Sequence, residues 1–137
     1  MHGEQGTAEP LVLRPAPLGD DPDAVTPALT DAFVAAREAL EAGRPVAVVL
    51  AAGDLLGQGS PLDAAVATAL LGMVRTLAIE GAKPGWRINV VATEGVAADG
   101  GGEDDPAVAE IIAMSASSSL TGQLLQVGGA NLGKLPA

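Results

Sequence analysis

The sequence predicts an α/β protein, a mainly parallel sheet of about four strands with helices on both faces. Three observations predict it. Residues 62–79 form a long helical stretch in which only Asp63, Thr68, Arg75 and Thr76 are polar, so that helix has almost no face fit for water. Residues 45–52 and 86–92 are apolar runs rich in branched side chains, as strands covered on both faces require. Helical and strand patterns alternate along the chain, which is the order of parallel strands joined by helical crossovers.

Taken in order, residues 1–10 are too polar to repay ordering and are expected to form a mobile leader. They hold His2, the only histidine, which is given no role there. Leu11–Leu13 is a short apolar run stopped by Arg14, Pro15 and Pro17, the mark of an edge strand. After an acidic turn at 19–23, Thr26 and Pro27 have the form of a helix start, with Thr26 as N-cap. Val25, Leu29, Ala32, Phe33, Ala36 and Leu40 then recur at helical spacing until Gly43 ends the pattern. A central strand over 45–52 leads through a loop at 53–60 into the long helix. Ser60, Pro61 and Asp63 suit its N-cap, first position and first turn. Lys83, Pro84 and Gly85 break that helix before the strand at 86–92. Residues 97–105 read as an acidic loop, Pro106 opens a short helix bearing Val108, Ile111, Ile112 and Met114, and Leu124–Val127 is the last strand. The expected organisation is one domain over 11–129 with a tail at 130–137.

Composition narrows the function. With 7 basic against 17 acidic residues the net charge is −10, which leaves no basic face for nucleic acid and disfavours anionic membranes. The absence of cysteine removes disulfides, thiol catalysis and thiolate metal sites. No basic, apolar leader of the secretory kind opens the sequence, and no uninterrupted apolar stretch reaches bilayer length, so a cytoplasmic location is expected. Phe33 and Trp86 are the only aromatics. The core must therefore be built from small aliphatic side chains that bury little area each, and association with another chain would add to it.

Gly72, Arg75, Leu77, Ala78 and Glu80, followed by Arg87, Asn89 and Ala92, resemble the G-L-x-R-x-L-A-x-E … R-V-N-x-V-A pattern of the short-chain dehydrogenase/reductase family. Upstream, Gly43, Arg44 and Gly53 are similar to its G-R-I-V-x-x-S-S-x-x-G strand. Downstream, Thr121, Gly122, Gln123 and Val127 are similar to its T-G-Q-x-x-x-V-D-G-G ending. The resemblance implies a truncated Rossmann-like fold. It also implies where chemistry would sit: the family's catalytic Tyr falls on Asp63, its Lys on Ala67, its Ser on Leu50 and its helical Asn on Ala28. All four side chains differ, and no stretch before Leu11 supplies a glycine-rich nucleotide turn. A catalytically inactive chain without cofactor or metal is expected.

Three uses remain for such a scaffold, the last of them a small-ligand carrier without catalysis, which predicts a cavity but no pH-dependent rate. In the family, the two helices corresponding to residues 25–40 and 62–79 pack against their symmetry mates. This resemblance points to an interface of Leu29, Phe33, Ala36, Leu40, Ala65, Ala69, Gly72, Met73 and Thr76, with a second copy or a reductase-type subunit as partner. The alternative is a cofactor-independent isomerase, cyclase or dehydratase with Asp63, and less so Glu94, as acid and base. The triple glycine at 100–102 is flanked by Asp99, Glu103, Asp104 and Asp105, which would repel phosphate and lack calcium-loop spacing.

Overall fold

In the computed structural model, which describes residues 9–94 and 106–127, four strands lie side by side in chain order, all parallel. They are β1 (Leu11–Leu13), β2 (Val46–Ala51), β3 (Ile88–Thr93) and β4 (Leu124–Val127). The helices are α1 (Val25–Glu41), α2 (Ala52–Leu55), α3 (Pro61–Glu80) and α4 (Pro106–Ser117). His2, the acidic stretch at 97–105 and the tail at 130–137 lie outside the described residues.

The central strands are buried along both faces, as their unbroken apolar sequences require. On one face, Val46, Val48 and Leu50 of β2 and Ile88 and Val90 of β3 pack with Ala36, Ala39 and Leu40 of α1 and with Val66, Leu70, Val74 and Leu77 of α3. On the other, Ala47, Val49 and Val91 meet Val108 and Ile112 of α4. Strand alternation thus sends odd and even residues to different helices.

Local chemistry explains most boundaries. Ser60 caps α3 as expected, its Oγ accepting from the backbone N–H groups of Leu62 at 3.2 Å and Asp63 at 3.5 Å. Four expectations are corrected. Thr26 does not cap α1: a 3-10 turn at Pro22–Ala24 precedes that helix, and Asp21 caps the turn by accepting from the Asp23 N–H at 3.0 Å. Pro27 sits instead inside the first helical turn, where N–H groups have no intrahelical partner to lose. The expected loop at 53–60 contains α2, and Trp86 precedes β3 rather than opening it. Finally, α3 is long and apolar enough by length and composition to cross a membrane. Six of its residues, from Val66 to Ala78, are nevertheless buried within the fold.

Asn89 is the buried polar residue that ties the sheet together. Its Nδ2 donates to the Leu120 carbonyl at 3.0 Å and its Oδ1 accepts from the Gln123 N–H at 3.0 Å, which fixes the segment leading into β4. Replacing it with an apolar isostere strands both backbone groups. Asn89→Leu is expected to lower unfolding free energy by about 2–4 kcal/mol in urea titration.

Candidate functional site

In open α/β sheets, ligands bind beyond the carboxyl ends of the strands. At the ends of β1 and β2 the chain forms a cavity of about 70 Å³, lined in part by Pro15, Leu50, Asp54, Asp63 and Ala67. Leu50, Asp63 and Ala67, on which the resemblance places the family's Ser, Tyr and Lys, all line this cavity. Ala28, the fourth, lies half-buried on α1 and does not line the cavity.

Asp63 is held in place by the polypeptide itself. Its Oδ1 accepts from the Leu18 N–H at 2.8 Å, and the neighbouring Ser60 hydroxyl donates to the Gly19 carbonyl at 3.1 Å. These bonds fasten the loop after β1 to the start of α3, where a carboxylate also meets the positive end of the helix dipole. Glu94, the weaker acid/base candidate, is exposed beyond the end of β3 and is not among the cavity-lining residues.

The second carboxyl group in the cavity is Asp54 of α2. Burial pushes its pKa above the ordinary 3.8, and the negative charge of Asp63 pushes it further in the same direction. A Cβ on Gly59 would come within 2.9 Å of Asp54 Oδ1, so the glycine allows the loop to fold over this carboxyl. The sequence signal was its position, directly after a buried strand in an α/β pattern. A helix of four residues carries too little periodicity to stand out from a loop.

The cavity holds a carboxyl pair in a partly apolar wall, an arrangement able to hold and exchange a proton. Its size is limiting. At about 70 Å³ it has room for a few waters, whereas pockets for metabolite-sized ligands run to roughly 300–1,000 Å³. Among the described residues no group of His, Asp and Glu is arranged to hold a metal ion.

No protein-family model and no curated protein matches the chain. Solved structures do. An oxidoreductase of the short-chain dehydrogenase/reductase family from Burkholderia thailandensis superposes with a TM-score of 0.64 at 21% identity, over 90% of this chain and 64% of its own. Acetoin dehydrogenase YohF from Salmonella typhimurium gives 0.56 at 22%, over 89% and 63%. Acetoin dehydrogenase from Enterobacter cloacae gives 0.58 at 22%, over 92% and 66%. The fold is a partial Rossmann-like fold of the short-chain dehydrogenase/reductase kind. The chain spans about two thirds of the length of these structures.

The Asp54 shift has a defined pH signature. With its folded pKa raised, the native carboxyl keeps a proton that the unfolded chain has released. Its contribution to stability is therefore full below the ordinary value and is lost as pH rises through the raised one. Asp54→Asn should gain stability relative to the wild type between about pH 3 and about pH 7, read by thermal unfolding at both. Asp63→Asn, which keeps an oxygen for the Leu18 N–H, should shrink that gain.

Proposed function

We propose that the chain acts as a non-catalytic subunit that associates through the outer face of its α1 and α3 layer, in the first instance with a second copy of itself. The observation that carries this is the outward stripe of α3. Ala65, Ala69, Gly72 and Thr76 are all exposed, and Ile79 is 78% exposed. Among these the only polar side chain, Thr76, donates its hydroxyl to the Gly72 carbonyl of its own helix at 3.0 Å. On α1, Phe33 and Val34 are 40% and 47% exposed.

Two features favour a second copy. Ala65 and Thr76 lie equally far from the centre of α3, as do Ala69 and Gly72. Two such helices crossing antiparallel at their midpoints would place small residues opposite small residues, as a two-fold interface requires. Among the described residues Gly72 serves no packing need, since a Cβ there would meet nothing within 4 Å. Keeping glycine in mid-helix costs about 1 kcal/mol relative to alanine, which close approach by another backbone would offset. The alternative occupant is a full-length reductase subunit presenting the same pair of helices, as the family resemblance implies.

Not all the expected interface residues are available. Ala36 and Leu40 are buried in the chain's own core, and Leu29 and Met73 pack partly against it. The resemblance points to whole helices, and the apolar face of α1 that carries Ala36 and Leu40 is the one against the sheet. Phe33, Ala65, Ala69, Gly72 and Thr76 remain accessible.

A cofactor-independent enzyme is the second reading, favoured by the raised pKa of Asp54 beside Asp63. The small cavity weighs against it, and unchanged turnover of any substrate found in Asp54→Asn and Asp63→Asn would end it.

Sedimentation is the direct test of association. The wild type should sediment as a dimer at micromolar concentration and Ala69→Glu as a folded monomer. Gly72→Ala should stabilise the helix by about 1 kcal/mol while weakening the dimer, a combination that an unoccupied face would not give. A monomeric wild type would overturn self-association.

A further inference from the structure

The amino-terminal end of the sheet carries a second concavity, away from the position where this fold class binds ligands. The turns leading into β2 and β3 enclose a groove of about 270 Å³, lined by Glu41, Arg44, Trp86 and Arg87 among others. Both turns contain a glycine in the left-handed region, Gly43 and Gly85, each with φ of 82°.

The wall of this groove is built around its indole. Gly81, with an ordinary φ of −90°, is required for a different reason: a Cβ there would come within 2.5 Å of the Trp86 Cβ and 2.6 Å of its ring. The Arg37 guanidinium lies 5.9 Å from the centre of the ring. Trp86 is the chain's only tryptophan, and it is partly buried against the core.

Charge is distributed unevenly here. Arg37, Arg44, Lys83 and Arg87, four of the 7 basic residues in a chain of net charge −10, lie on the elements that meet at this end. Glu41, the carboxylate in the lining, is paired with Arg37 at 3.2 Å. Arg44 donates from Nε to the Glu9 carbonyl at 2.9 Å, and Arg87 from Nη1 to the Ser118 carbonyl at 3.0 Å. Neither contact is with a carboxylate. A guanidinium has five N–H donors, so among the described residues both arginines keep most of theirs unspent and neither has a counter-ion.

We propose that this groove binds a small organic oxyanion, its carboxylate or phosphate head between Arg44 and Arg87 and its apolar body against Trp86. Guanidinium groups suit both heads through paired N–H donors, and the volume fits a ligand of about one ring plus its head group. This site is independent of the α3 face and of the carboxyl-end cavity.

Trp86 is its own reporter. Titration with phenyl phosphate, benzoate and inorganic phosphate, followed by tryptophan fluorescence, separates the two head groups and tests the need for the apolar body. At least one of the two aromatic anions should give a saturable change below about 10 mM, weakened about tenfold in Arg44→Gln and in Arg87→Gln. Arg75→Gln, on the exposed side of α3, should leave the midpoint unchanged. Thermal unfolding of each variant confirms that it is folded, and Arg44→Gln, which loses one contact to Glu9, serves if Arg87→Gln does not fold. No saturable change with any probe, or the same midpoint in Arg44→Gln as in the wild type, would overturn the proposal.

Discussion

A parallel sheet buried on both faces needs apolar cover on both, and here the cover is unequal. One face of β2 and β3 is sealed by α1 and α3 together, in a cluster of fourteen buried residues; the other is sealed by α4 among the described residues, in a cluster of six. The inner face of the long α3 is given over to covering the sheet. Val66, Leu70, Val74 and Leu77 repeat at helical spacing and fill that duty. On the outside, Ala65, Ala69 and Gly72 leave an apolar stripe beside the exposed Thr68, Arg75 and Glu80.

The same arrangement decides what the carboxyl end can do. The loop after β1 must cross from the sheet edge to the start of α3, and Asp63 and Ser60 hold it there through Leu18 and Gly19. Where the family resemblance places a phenol and an amine, this chain has a carboxylate engaged with backbone and a methyl group. The resulting cavity is small because Pro15, Pro17 and Leu50 fill space that polar groups would otherwise share with a ligand. Asp54 is left partly buried in the same cavity as Asp63, and burial first, then the charge of Asp63, raise its pKa.

Much of this was legible in the sequence where one physical requirement dominates. Strands β2 and β3 were readable because two-sided burial leaves no alternative to continuous branched apolar residues, and Ser60 with Pro61 fixed the start of α3 through cap chemistry alone. The start of α1 was misread because Thr26 and Pro27 satisfy the same preferences as Asp21 and Pro22, and only the preceding turn decides between them. Asp54 was missed because a four-residue helix has too little periodicity to register. The interface list erred at Ala36 and Leu40 because the resemblance points to whole helices without saying which neighbour covers each face. The groove at the amino end had no sequence signature: Gly81 and Trp86 are five residues apart in a turn, and their contact appears only once the chain folds back.

The basic residues at that end have a competing explanation. In crossover topology α1 and α3 run opposite to the strands, so both helices end where β2 and β3 begin, and their negative dipole ends favour nearby cations. Arg44 follows the end of α1 and Lys83 the end of α3, and the dipole accounts for these two at about 0.3–1 kcal/mol each. It does not account for Arg87, which stands at the entrance to a strand, nor for a glycine held at position 81 to seat an indole. A dipole calls for charge anywhere in the last turn, whereas two guanidinium groups without counter-ions among the described residues, beside a fixed aromatic wall, call for a ligand of particular shape. That difference separates a binding groove from a solvated rim.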